Sequence, residues 1–141
     1  MIVENVVAEL DAFVPVDEVD NVGRLHEILD CLQSLAPELR TPAVPATLSL
    51  IERHPNAELG SPGPLVHELE SIPGYESFLR DSVLRQPADL NVWMVNRILN
   101  AEVSQDVRVG WLSVMNQVLK HSRASKEVQQ MVADFLEHQH S

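Results

Sequence analysis

The stretch Ala88–Glu102, ADLNVWMVNRILNAE, constrains the fold more than any other part of this chain. Leu90, Trp93, Met94 and Ile98 recur at helical spacing and make one apolar face, while Val92, Val95 and Leu99 make a second. A helix apolar on two sides is covered on two sides, so the rest of the chain must supply its neighbours. Asp89 stands where a side chain can accept from the free backbone N–H groups of a helix start. Asn96, Arg97 and Asn100 are the polar exceptions. Burying them without partners is costly, so they need internal hydrogen bonds or a surface that another molecule uses. For Arg97 the expected partner is Asp89 or Glu102, or the end of a neighbouring helix, which its five donors can cap.

The same period runs through the rest of the chain. Val3, Val6, Val7 and Leu10 predict a helix over Ile2–Phe13, closed by Pro15. Val22, Leu25, Ile28, Leu29 and Leu32 predict a second over Asp20–Leu35, with Cys31 expected as a small core residue. Pro45 suits the first turn of a third, Pro45–Arg53. The segment His54–Pro64, HPNAELGSPGP, is the clear loop. Leu65, Val66, Leu69 and Ile72 mark a short helix, and Tyr75–Arg85 another, between Pro73-Gly74 and Gln86-Pro87. Ser104 and Ser125 are expected caps of the last two helices. Val107, Trp111, Val114, Met115 and Val118 form the core face of the first of these, with Lys120-His121 in its last turn. Val128, Met131, Val132, Phe135 and Leu136 form that of the second, and the polar tail EHQHS is expected to fray. Short connections place consecutive helices antiparallel. The expected architecture is all-α: seven to eight helices in stacked hairpins, either a short HEAT-like solenoid or an irregular bundle. It forms one domain over residues 1–141, comprising an acidic third (1–53), the loop (54–64) and scaffold helices (65–137).

Charge divides the chain differently. The net charge is −11, and residues 1–70 carry nearly all of it, with 13 acids against Arg24, Arg40 and Arg53. Residues 71–141 are nearly balanced. Such a surface repels nucleic acid, whose binding rests on Lys and Arg contacts to phosphate, and suits a basic protein partner. Glu9, Asp11, Asp17, Glu18, Asp20, Glu27 and Asp30 are the candidate contact residues; the plain alternative is a solubilising face. No apolar run approaches the roughly 18 residues that span a bilayer. The start MIVENVVAEL lacks the basic flank of a secretory signal, and the lone Cys31 offers no internal disulfide. A cytoplasmic protein without membrane contact is expected.

Motifs for chemistry are missing. There is no Gly-rich phosphate loop, no cysteine pair for zinc, no HExxH and no GxSxG. His67 and Glu70 have the spacing of half a carboxylate-bridged metal site, but no second half appears. Neither a catalytic residue, a metal nor a cofactor is therefore expected, and Trp93 and Trp111 read as packed core.

The run Gly63–Asn100 resembles small bacterial immunity proteins of polymorphic toxin and contact-dependent inhibition systems. The similarity is carried by Pro64-Leu65-Val66-His67, Gly74-Tyr75-Glu76, the Ser82…Arg85-x-Pro87 turn and Trp93–Asn100. It implies a non-catalytic bacterial protein that binds and blocks a cognate toxin domain, commonly a nuclease with a basic cleft. His67, Tyr75, Trp93, Asn96, Arg97 and Asn100 would then belong to the shared scaffold, and the acidic third would face the toxin. The alternative is a helical interaction adaptor with no toxin partner.

Overall fold

Proline, glycine and serine set the helix boundaries much as their chemistry requires. The computed structural model describes residues 2–16, 21–55, 57, 59 and 63–140. Within them lie eight α-helices: α1 (Ile2–Ala12), α2 (Asn21–Gln33), α3 (Ala43–Arg53), α4 (Gly63–Glu70), α5 (Tyr75–Arg85), α6 (Asp89–Asn100), α7 (Gln105–Val118) and α8 (Lys126–His140). There is no strand among the described residues, and the protein is all-α. Gly74, at φ +82°, supplies the left-handed turn that admits α5. Ser104 Oγ accepts from the Val107 N–H at 3.3 Å and Ser125 Oγ from the Val128 N–H at 3.1 Å, as capping serines do.

The helices stack in pairs. In one layer α1 packs on α3, α3 on α5 and α5 on α7; in the other, α2 packs on α4 and α6 on α8. Each odd helix also meets the even helix that follows it, and α6 meets α7. This is the order of stacked hairpins in an all-α bundle. One continuous cluster of buried side chains runs from Val6 to Leu136. α6 is buried on both apolar faces, as its pattern demands, but α3 is the more central element. Seven of its residues, Ala43, Val44, Ala46, Thr47, Leu48, Leu50 and Ile51, are buried, and it touches α1, α4, α5 and α6. Each Leu or Ile so placed is worth about 1.5–3 kcal/mol of transfer from water.

A polar network ties these central helices together. Glu52 on α3 accepts from Ser82 Oγ at 2.9 Å and from Arg85 Nε and Nη2 at 2.6 and 2.8 Å. Ser82 Oγ in turn accepts from Asn91 Nδ2 at 3.1 Å, which also donates to the Gln86 carbonyl at 3.0 Å. Asn91 Oδ1 takes the Ala88 N–H at 2.8 Å. Ser82 and Asn91 have no exposed surface, yet both are satisfied.

Several expectations need correcting. Ala88, not Asp89, is the N-cap of α6, because the third residue of the helix, Asn91, reaches back to its N–H. α7 stops at Val118, short of Lys120-His121, whose N–H groups close a tight turn on the Gln117 and Val118 carbonyls. His121 Nδ1 accepts from the Arg123 N–H, so its Nε2 carries the proton and donates to the Leu84 carbonyl at 2.6 Å. Residues 137–140 of the tail are helical, since α8 runs to His140. Gln139 Nε2 donates to Asn100 Oδ1 at 2.7 Å and Asn96 Oδ1 at 3.1 Å, and its carbonyl accepts from Arg108 Nη2 at 3.0 Å. Cys31 is exposed, because it falls on the outer face of α2 opposite Leu25, Leu29 and Leu32. Val107, assigned to the core face of α7, is 44% exposed. It sits in the first turn, ahead of the part of α7 that its neighbours cover.

Candidate functional site

The first hairpin places its carboxylates outward. α1 buries Val6 and Leu10 and exposes Glu4, Glu9 and Asp11; α2 buries its leucines and exposes Glu27 and Asp30. Asp17, Glu18 and Asp20 lie outside the described residues. The three arginines of this half donate to backbone carbonyls rather than to these carboxylates. Arg24 stacks on Phe13 at 4.5 Å and donates to the Val14 carbonyl at 3.2 Å. Arg40 donates to the Leu35 and Gln33 carbonyls, each at 2.9 Å, and stands 3.7 Å from Glu68. Arg53 donates to the Leu10 carbonyl at 3.0 Å and to Ser49 Oγ at 2.9 Å. Among the described residues, none of Glu4, Glu9, Asp11, Glu27 and Asp30 forms an ion pair.

The motif residues do not converge on one point. Arg97 pairs with Glu70, not with Asp89 or Glu102, through Nε–Oε2 at 2.7 Å and Nη2–Oε1 at 2.9 Å. This fork joins α6 to α4 at the surface and strengthens the proton affinity of Arg97 above its ordinary value, against the opposing effect of burial. Together with Tyr75 and Asn100 it edges a groove of about 770 Å³, floored by Ile98, Val103, Val107 and Trp111. Tyr75, half-buried there, is pushed up to about 12 by burial and by the Glu70 and Glu76 carboxylates, against the pull of Arg97. Asn96 and Asn100 receive Gln139 from α8. Trp93 packs edge-on against Phe135 with ring centroids 6.2 Å apart, and its buried Nε1 has no hydrogen-bond partner among the described residues.

His67 lies apart from Glu70, in a second groove of about 530 Å³ between α2 and α4 that it shares with His26, Gln33 and Glu68. Glu70 turns to the Arg97 side, so the two do not act as a pair. Glu68 is buried; its Oε2 accepts from Gln33 Nε2 at 3.3 Å. Among the described residues no group of three or more His, Cys, Asp or Glu is arranged to hold a metal ion. No helix among them is long and apolar enough to cross a membrane.

Sequence reasoning missed Asn91 and Glu52 and took Ser82 only as a helix and motif residue; the network they share exists only once three helices meet. It also missed Glu70 as the partner of Arg97 and Gly110, which lines the adjoining α5–α7 cleft. A glycine inside a helix is the one signal that could have marked that cleft. Comparison with known proteins finds no match: no family model, no curated protein and no solved structure matches this chain.

Proposed function

We propose that this chain is a non-catalytic inhibitor: an immunity protein that binds and neutralises a cognate bacterial toxin domain in the cytoplasm. Its acidic first hairpin is the contact surface. The observation that supports this reading is that Arg24, Arg40 and Arg53 donate to backbone carbonyls, while Glu9, Asp11, Glu27 and Asp30 are exposed and have no ion-pair partner among the described residues. An uncompensated negative field speeds encounter with a basic cleft, and its carboxylates compete for the positions a phosphate backbone would occupy. The partner in this reading is a protein with a basic cleft, such as a nuclease domain, and no metal or cofactor takes part.

The test is rescue by co-expression. The C-terminal domain of the protein encoded immediately upstream is induced with and without this chain, and growth and complex formation on a sizing column are read. Rescue is expected from the wild type. It is expected to be lost when Glu9, Asp11, Glu27 and Asp30 are all changed to Lys, with far-ultraviolet circular dichroism and melting unchanged. Full rescue by the reversed variant would refute the acidic surface, and toxicity without rescue by the wild type would refute immunity.

A further inference from the structure

A groove away from the first hairpin lies between α5, α6 and α7. Its floor is apolar: Ile98, Val103, Val107 and Trp111. The cleft continues between α5 and α7 past Glu76, Asp106 and Gly110. Val107 is 44% exposed there, although it belongs to a helix whose other apolar positions at core spacing are covered. Gly110 sits in the middle of α7, where glycine destabilises a helix relative to alanine. Its own structure does not require it, since a Cβ built at Gly110 would meet nothing within 4 Å. What the missing side chain leaves is room for another chain to approach the helix closely.

Charge selects the occupant. Glu70, Glu76 and Asp106 stand along the cleft against Arg97 and Arg80, and Arg97 is held by Glu70 through two short bonds. Neither Glu76 nor Asp106 has an ion-pair partner among the described residues. With Glu70 and Arg97 paired, the two acids Glu76 and Asp106 outnumber Arg80 along the cleft, so its charge is net negative. We propose that this groove docks a segment of a partner protein that presents a large apolar side chain flanked by Lys or Arg. The apolar residue fills the floor beside Val107 and Gly110, and the basic residues meet Glu76 and Asp106. This does not rest on the toxin reading, which concerns the first hairpin.

Random dodecapeptides displayed on phage test it, selected on the full chain and counter-selected on the Val107→Glu variant. The expected result is enrichment of peptides with a large apolar residue beside Lys or Arg. Synthetic copies should alter the emission of the two tryptophans. They should bind at least about tenfold more weakly to Val107→Glu, Gly110→Leu and Glu76→Lys. Gly110→Ala checks that the site tolerates change: it should melt about 3 °C higher than wild type. Three results would overturn the proposal: no enrichment, enrichment of acidic or uncharged sequences, or equal binding to Val107→Glu. Self-association of the wild type that Val107→Glu abolishes would assign the groove to a second copy and overturn it too.

Discussion

Asn91→Ala removes the centre of the polar network that joins α3, α5 and α6. Three bonds go at once: the Ala88 N–H loses its acceptor, and Ser82 Oγ and the Gln86 carbonyl lose a donor. Ala88 is fully buried, so its N–H has no route to water. Each group left unsatisfied in the interior costs about 1–3 kcal/mol, the carbonyl and hydroxyl toward the lower end because each keeps other options. The expected loss is about 2–4 kcal/mol, which for a chain of this length lowers the melting temperature by roughly 6–12 °C. Urea unfolding followed at 222 nm measures it. Asn91→Asp is the sharper control. It keeps the acceptor for Ala88 but sets a carboxylate against the Gln86 carbonyl and within one hydroxyl of Glu52. Burial and that neighbour raise the folded-state pKa of the new acid above its unfolded value, so the variant should regain stability as pH falls. A loss below about 1 kcal/mol for the alanine variant would refute the network's structural role, as would a pH-independent deficit for the aspartate.

Tyr75 is the single tyrosine, so absorbance at 295 nm titrates it alone. A midpoint near the ordinary 10 would contradict the value of about 12, and Glu70→Gln should move the midpoint down. Because the folded state holds this proton more tightly than the unfolded chain, the associated stability is complete below pH 10 and is lost as pH rises through about 12. Cys31 should react with one equivalent of a thiol reagent in the native protein without a lag; a lag that tracks unfolding would show it buried. Deleting residues 139–141 severs the bonds of Gln139 to Asn96, Asn100 and Arg108. Thermal melting should register a loss of about 1–2 kcal/mol, where a frayed tail would give none.

The helices were legible because their signals are local. Pro73-Gly74 and Gln86-Pro87 bound α5 at its observed residues, and Ser104 and Ser125 cap as serine does wherever a helix begins. The exposed carboxylates of the first hairpin were legible for the same reason: Glu9, Asp11, Glu27 and Asp30 fall off the apolar stripe. What failed depends on the third dimension. Periodicity identifies an apolar face but not where a neighbouring helix stops covering it, so Val107 was assigned inward and Cys31 was too. Arg97 needed an acid, but its choice of Glu70, 27 residues away, is set by the fold and not by spacing along the chain. Asn91 carries no mark in spacing, because its role is to tie the start of α6 to Ser82 and the end of α5.

The position of α3 has a consequence for how this protein comes apart. The first four helices and the last four meet chiefly where α3 lies against α5 and α6, reinforced by Glu52. Whether the two halves melt as one unit is therefore decided by a single eleven-residue segment. Its amides should exchange with solvent only through the global opening, while those of α1 and α8, each bordered by fewer helices, exchange by smaller and more frequent excursions. Weakening α3 would do more than lower stability: it would divide one cooperative transition into two.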